Sequence, residues 1–285
     1  MRIANLSGRL ALVDGAGIVA LDVERASSGR FGPNPQGVYD DWAEFVAWAA
    51  DVDPSAGQPF RVEELGPPAP TPRQVLAIGL NYSDHAAEAG VAEPTAATVL
   101  FTKWPSCLTG PVSDVELPEG GRVDWEVELV VIIGRYTHRV REDRAWGSVA
   151  GLTVGQDLSE RILQTAGPAP QYSLGKSLPG FGPIGPWLVT PDEIEDRDNL
   201  EIGCFVNGEQ VQKSRTSNLI FSVPSMVAQL SENLPLLPGD VLFTGTPGGV
   251  GVARTPPRWL APGDELVSYV SGIGQLRQRC IAAAP

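Results

Sequence analysis

The segment Val123-Asp124-Trp125-Glu126-Val127-Glu128-Leu129-Val130-Val131-Ile132-Ile133 sets the tightest limit on how this chain folds. Strand side chains alternate between faces, so Val123, Trp125, Val127 and Leu129 point one way and Asp124, Glu126 and Glu128 the other. The acidic row then runs straight into an unbroken apolar stretch, which has to be buried. Two carboxylates at i and i+2 sit roughly 7 Å apart, close enough for both to reach one ion. Like charges on one face of a partly buried strand destabilise it unless a cation neutralises them. Taken alone, the E-x-E pattern also fits a solvated outer face.

A second strand shifts that balance. The apolar run Val149-Ala150-Gly151-Leu152-Thr153-Val154 ends at Gly155-Gln156-Asp157, which places a carboxylate at a strand terminus. Three carboxylates, Glu126, Glu128 and Asp157, with no His or Cys among them form a hard oxygen set. Such a set suits Mg²⁺ or Mn²⁺, or Ca²⁺ as it is found in a crystal, rather than zinc. Of the two histidines, His138 lies among basic residues in a turn and reads as surface. His85 and Glu88 are i and i+3 on one face of an expected helix over residues 83–89. A carboxylate beside an imidazole fixes its tautomer and raises its basicity, as a general base requires. Gly175-Lys176-Ser177 lies in a Gly/Pro-rich loop, and Thr244-Gly245-Thr246-Pro247-Gly248-Gly249-Val250-Gly251 follows an apolar strand. Gly-rich turns expose backbone N–H groups that can cradle an anion. The spacing is not that of a phosphate-binding P-loop.

Around these motifs the chain alternates short apolar runs with turn residues, including 32 Gly and 26 Pro among 285 residues, which favours a β-rich α+β fold with few helices. Residues 1–24 read as a β-hairpin turning at Asp14-Gly15-Ala16-Gly17. Trp42, Phe45, Val46 and Ala49 fall at helical spacing. Further strands are expected at residues 74–79, 100–103, 187–189, 200–206, 241–244 and 265–270, and a helix at 222–231. The stiff connector Gly66-Pro67-Pro68-Ala69-Pro70-Thr71-Pro72 marks a boundary between a small N-terminal domain, 1–70, and a main domain, 71–285. A net charge of −13 argues against a nucleic-acid partner. No apolar run approaches the ~20 residues of a membrane span. The N-terminal segment has no signal-peptide pattern, and the three widely spaced cysteines fit a reducing compartment, so a cytoplasmic enzyme is expected.

Taken in order, the segments IGLNYSDHAAE, FTKWPS, DWEVELVVIIGR, VAGLTVGQDLSERILQ, GKS, FGPIGPWLVTPDEI, VNGEQVQ, LLPGDVLFTGTPGGVG and LAPGDEL resemble the fumarylacetoacetate hydrolase family. The resemblance spans roughly residues 75–270. It implies a mixed β-sandwich or roll with a small N-terminal domain, usually as a homodimer. It implies Glu126, Glu128 and Asp157 as metal ligands, His85 and Glu88 as a dyad on a short lid helix, and Lys176 facing the reacting carbonyl. Arg161, Gln164 and Thr246 match substrate contacts, and Lys103 a lysine near the pocket. Gln156, Glu160, Ile162 and Leu178-Pro179-Gly180 depart from the usual pattern around the pocket and leave the substrate open. The implied chemistry is metal-dependent cleavage of the C3–C4 bond of a small 2,4-dioxo acid, an acylpyruvate or a didehydro-deoxy-sugar acid. A 2-hydroxy-dienoate tautomerase or an oxaloacetate-type decarboxylase would use the same site.

Overall fold

The acidic–apolar segment becomes the strand Val127–Ile133, buried along its whole length near the middle of the largest of three sheets among the described residues. The computed structural model describes residues 1–97 and 99–283. Val127–Ile133 pairs antiparallel with Val149–Gln156 on one side and Val241–Phe243 on the other. Both of its faces are covered. Val127, Leu129, Val131 and Ile133 enter one core with Trp125 and Val123, whereas Val130 and Ile132 enter another with Phe45, Leu10 and Phe243. A strand sandwiched in this way has to be apolar on both faces, so the alternation stops at Leu129.

The sheet continues outward through Gly182–Val189, Arg2–Leu6, Arg9–Val13 and Val19–Asp22 at one edge. At the other edge Val75–Ile78 lies parallel to Val241–Phe243 and carries Leu100–Thr102. The hairpin expected at the N-terminus is present, with one addition. Arg2–Leu6 forms a further strand that pairs with Gly182–Val189, so the sheet runs unbroken from the N-terminal segment into the segment after the Pro-rich connector. Gly182–Val189 begins five residues before the expected strand and includes Pro183 and Pro186. Its ladder to Val149–Gln156 shifts register between Leu152 and Val154, which accommodates residues without an N–H.

A second sheet, in the order Glu209–Arg215, Glu201–Val206, Glu265–Val270, Gly274–Ala282 and Val112–Leu117, packs across the first. Ile202, Cys204, Leu266, Val270, Leu276 and Cys280 meet Leu129, Val131, Leu152 and Val154 between the sheets. The arrangement is the mixed, β-rich sandwich of an α+β fold. Helix Val223–Asn233 closes one side. Ser222 caps it, and Val223, Met226, Val227 and Leu230 are buried at the i, i+3, i+4, i+7 spacing of one helix face. All three cysteines are free and buried. Among the described residues no helix is long and apolar enough to cross a membrane.

Candidate active site

Glu126 lies between the two-residue strand Val123–Asp124 and Val127–Ile133, and Glu128 is the second residue of the latter. Asp157 follows Val149–Gln156, in which Gly155 stands opposite Glu128. The Asp157 N–H donates to the Glu126 carbonyl at 2.9 Å, which fixes the turn at this end of the ladder. All three carboxylates are buried, and one oxygen from each lies within 4.8 Å of the others. Gly155 is required there, because an added Cβ would come 2.5 Å from Val130 Cγ2 and 2.8 Å from Phe243 Cε1.

Three cations, Lys176, Arg161 and Lys103, converge on these carboxylates. Lys176 Nζ donates to Glu126 Oε2 at 2.6 Å and to Asp157 Oδ2 at 2.7 Å. Arg161 Nη2 donates to Glu126 Oε1 at 2.7 Å. Burial alone would raise Glu126, but Lys176 and Arg161 outweigh it and hold the carboxyl at about 2. Glu128 goes the other way. Burial, and then repulsion from Asp157 and Glu126, push it well above its ordinary value, and the Lys176 charge together with the Gly245 N–H that donates to it at 2.7 Å is too little to compensate. A buried carboxylate held against two others in this way fits a divalent cation shared among them. The residues present therefore suit the metal expected from the sequence.

Gly245 reaches Glu128 because its φ of +100° turns the chain sharply after Val241–Phe243, and a Cβ would lie 2.7 Å from Asn81 Cβ. Asn81 is fully buried. Its side chain donates to the Thr244 and Phe221 carbonyls at 2.8 and 3.1 Å and accepts from the Phe221 N–H at 2.8 Å. This anchors the start of the short helix Ser83–Glu88, just after Leu80 at a φ of +56°. On that helix His85 Nδ1 lies 2.9 Å from Glu88 Oε1, and Glu88 Oε2 accepts from the Gly249 N–H at 2.9 Å. One carboxylate thus orients the imidazole and ties the helix to the Gly-rich loop.

A cavity of about 250 Å³ joins these groups. Its lining includes His85, Glu126, Glu128, Arg161, Gln164, Lys176 and Thr246, together with Ile78, Leu80, Ala89, Phe101, Tyr172 and Val252. Glu88 stands behind His85. Thr246 Oγ1 donates to the Val127 carbonyl and accepts from Gln212 Nε2, both at 2.9 Å, and Gln164 Oε1 accepts from Arg161 Nη1 at 2.9 Å. Lys103 is placed differently from the expectation of a substrate contact. It lies beneath the site, fully buried, donating to Asp157 Oδ1 at 2.7 Å, to the Phe181 carbonyl at 3.2 Å and to the Lys176 carbonyl. With three donors and three acceptors already met, it supports Asp157 rather than a ligand.

The sequence reading passed over Asp124, although its signal lay in the same acidic row. It is fully buried and accepts from Arg161 Nε and Nη2 and from the Gly251 and Val252 N–H groups. It also passed over Phe101 and Tyr172, whose rings meet edge to face at 5.6 Å. The Lys176 ammonium sits 5.1 Å from the Phe101 ring centre.

These features define an enzyme fold built around a buried acidic triad. The Fumarylacetoacetate (FAA) hydrolase C-terminal family matches residues 74–281, and the chain belongs to that family. A curated relative, mitochondrial oxaloacetate tautomerase FAHD2A of Bos taurus, is 40% identical over 215 residues, 75% of this chain and 68% of the relative. Among solved structures, a putative HpcE protein from Mycobacterium smegmatis is 55% identical with a TM-score of 0.93, each chain covered completely. Maleylpyruvate hydrolase from Sphingobium sp. SYK-6, solved with manganese (II) ion and pyruvate, is 25% identical with a TM-score of 0.81, again over 100% of both chains.

Proposed function

We propose that this chain is a divalent-metal-dependent hydrolase that cleaves the C3–C4 bond of a small 2,4-dioxo acid, giving pyruvate and a carboxylic acid. The observation that carries this reading is the His85–Glu88 pair on the wall of the cavity that also exposes Glu126 and Glu128. Tautomerisation and decarboxylation need no activated water, whereas hydrolysis does.

Glu126, Glu128 and Asp157 would hold Mg²⁺ or Mn²⁺, and the ion supplies Lewis acidity toward the oxygens of a 2-oxo acid. The remaining work falls to the chain. With Nδ1 donating to Glu88, His85 Nε2 is the nitrogen left to accept a proton from water as that water attacks C4. The Lys176 ammonium stabilises the negative charge that develops on the C4 oxygen. The C3–C4 electron pair then passes to the pyruvyl fragment, which takes a proton and leaves as pyruvate, while the acyl half leaves as a carboxylic acid. The Phe101 ring beside Lys176 keeps that end of the cavity poor in water and strengthens the charge interaction.

The test is pyruvate release by purified protein with Mg²⁺ or Mn²⁺ from acylpyruvates, 2,4-dioxo sugar acids and oxaloacetate, each with and without EDTA. Metal-dependent pyruvate together with an equimolar carboxylic acid is the expected result. Pyruvate from oxaloacetate alone, or keto–enol exchange without pyruvate, would replace hydrolysis with decarboxylation or with the tautomerisation named for the Bos taurus relative.

A further inference from the structure

We infer that Tyr172, together with the Gln164 amide and the last N–H of Arg161, forms a set of donors that selects substrates whose acyl half ends in a second carboxylate; this deepens the 2,4-dioxo-acid reading above and rests on it.

The first observation is a buried donor without a partner. Gln164 is 8% exposed and lines the cavity. Its Oε1 accepts from Arg161 Nη1 at 2.9 Å, which fixes the amide, yet among the described residues nothing accepts from its Nε2. A buried donor left unpaired is costly, so one held in this way calls for an acceptor from outside the chain. Two more donors stand beside it. Arg161 directs Nε and Nη2 to Asp124 at 3.0 and 2.7 Å, Nη2 also to Glu126 at 2.7 Å, and one Nη1–H to Gln164. The fifth N–H, on Nη1, is uncommitted. The Tyr172 hydroxyl has no hydrogen-bond partner among the described residues, and Tyr172 lines the same cavity.

The local fold brings the three together. A Cβ on Gly175 would come 2.6 Å from the Glu160 carbonyl oxygen and 2.8 Å from the Gln164 nitrogen, so glycine there lets the turn Tyr172–Gly175 rest directly on the turn Arg161–Gln164. The Tyr172 ring is held edge to face on Phe101 at 5.6 Å, and the Ser173 hydroxyl lies 3.3 Å from that of Thr102 on the neighbouring strand. Tyr172 also precedes Lys176 by one helical turn, and the Lys176 N–H donates to the Tyr172 carbonyl at 3.2 Å. Side chains so spaced lie ~5–6 Å apart at Cβ. With Lys176 at the C4 oxygen, Tyr172 therefore stands a few bonds further along the acyl chain.

A carboxylate suits this set. It only accepts, it offers two oxygens to the amide, the guanidinium N–H and the phenol, and Arg161 makes one of those bonds charge-assisted. A methyl group in its place leaves all three donors unpaired.

The experiment is calorimetric titration of the Mn²⁺-loaded protein with 2-oxoadipate and with 2-oxohexanoate, acids of equal length that differ in the terminal carboxylate. It is run on the parent and on Tyr172→Phe, which keeps the ring on Phe101 and deletes the hydroxyl. The parent is expected to bind the diacid about tenfold more tightly, the factor of one hydrogen bond to a charged group, and Tyr172→Phe to lose most of that preference by weakening the diacid alone. Equal or tighter binding of the monoacid by the parent would overturn the inference. So would Tyr172→Phe weakening both acids alike, the mark of a merely structural ring, or weakening neither. Binding is read without turnover, so a protein that prefers the diacid yet releases no pyruvate from a 2,4-dioxo diacid would refute the hydrolase reading and leave the selectivity standing.

Discussion

Asp124 and Arg161 are joined by two hydrogen bonds, from Nε at 3.0 Å and Nη2 at 2.7 Å to one carboxylate oxygen, while the other oxygen accepts the Gly251 N–H at 2.6 Å. The pair couples the Gly-rich loop to Glu126, which Arg161 also contacts. Asp124→Asn keeps the shape and removes the charge, leaving a buried guanidinium short of one anion. Breaking a buried pair from one side costs about 3–5 kcal/mol, and most of that should appear as lost stability in chemical denaturation. Asp124→Asn with Arg161→Met should cost well under the sum of the two singles, because the second change removes the charge that the first one strands. Strict additivity in that cycle would show that the pair does not act as a unit.

The metal-free protein should carry an unusual pH dependence through Glu128. Burial, then repulsion from Asp157 and Glu126, raise its folded pKa well above the unfolded 4.5, so its contribution is present below 4.5 and is lost as pH climbs through the folded value. Glu126, held at about 2, contributes fully above 4.5 and falls away only in acid, so it adds no slope in the higher window. Glu128→Gln removes the charge without changing the shape. In chelator near neutral pH the variant should melt above the parent. Added Mn²⁺ or Mg²⁺ should raise the parent's melting temperature and leave that of the variant almost unchanged. A variant that melts below the parent in chelator would mean that the carboxylate repulsion is not felt.

How much of this was legible in the sequence depended on whether one strand carried its own signal. Val123–Ile133 announced both the buried core and two of the three clustered carboxylates, since alternation followed by an apolar run has few other meanings. Gly274–Ala282 was not read as a strand, although Leu276 and Cys280 alternate with exposed Gln275, Arg277 and Arg279. The buried position between those two belongs to Gln278, whose Nε2 donates to the Pro111 carbonyl while its Oε1 is left without a partner among the described residues, so a polar residue interrupts the apolar period. Glu209–Arg215 is an edge strand with mostly exposed polar side chains and shows no apolar period at all. In the site, residue types identified the carboxylates, His85 and Lys176. They could not separate Lys103, whose head lies under Asp157, from a lysine facing substrate, because that distinction depends on which backbone carbonyls surround the ammonium.

Lys103 gives the next expectation. Its side chain is entirely buried against Asp157, so Lys103→Met fills the same volume and removes the charge. Asp157 keeps Lys176 on its other oxygen. The loss of stability should fall at or below the ~3–5 kcal/mol of a fully stranded charge. The binding readout is more specific. With one fewer cation nearby, Mn²⁺ affinity measured by titration should rise or hold, while kcat falls as Asp157 and the Lys176 backbone lose their shared support. A rise in KM with unchanged kcat would instead return Lys103 to the substrate-binding role expected from the sequence.

The His85–Glu88 pair separates the chemistry from the binding. His85→Ala removes the proton acceptor without touching a carboxylate of the triad, so Mn²⁺ affinity and the affinity for a non-reacting 2-oxo acid should stay within a few-fold of the parent, while hydrolysis falls by about 10²–10⁴. Glu88→Gln should cost less in rate, because the imidazole remains, though its tautomer is no longer fixed. That variant also changes the acceptor for the Gly249 N–H, and with it the tie between the Ser83–Glu88 helix and the Gly-rich loop. Its second signature is therefore dynamic: faster amide exchange over residues 83–88 than in His85→Ala. Pyruvate release, metal titration and hydrogen exchange on the two variants read the three effects separately. Full hydrolytic rate in His85→Ala would remove His85 as the base and shift the favoured reading to a reaction that needs no activated water.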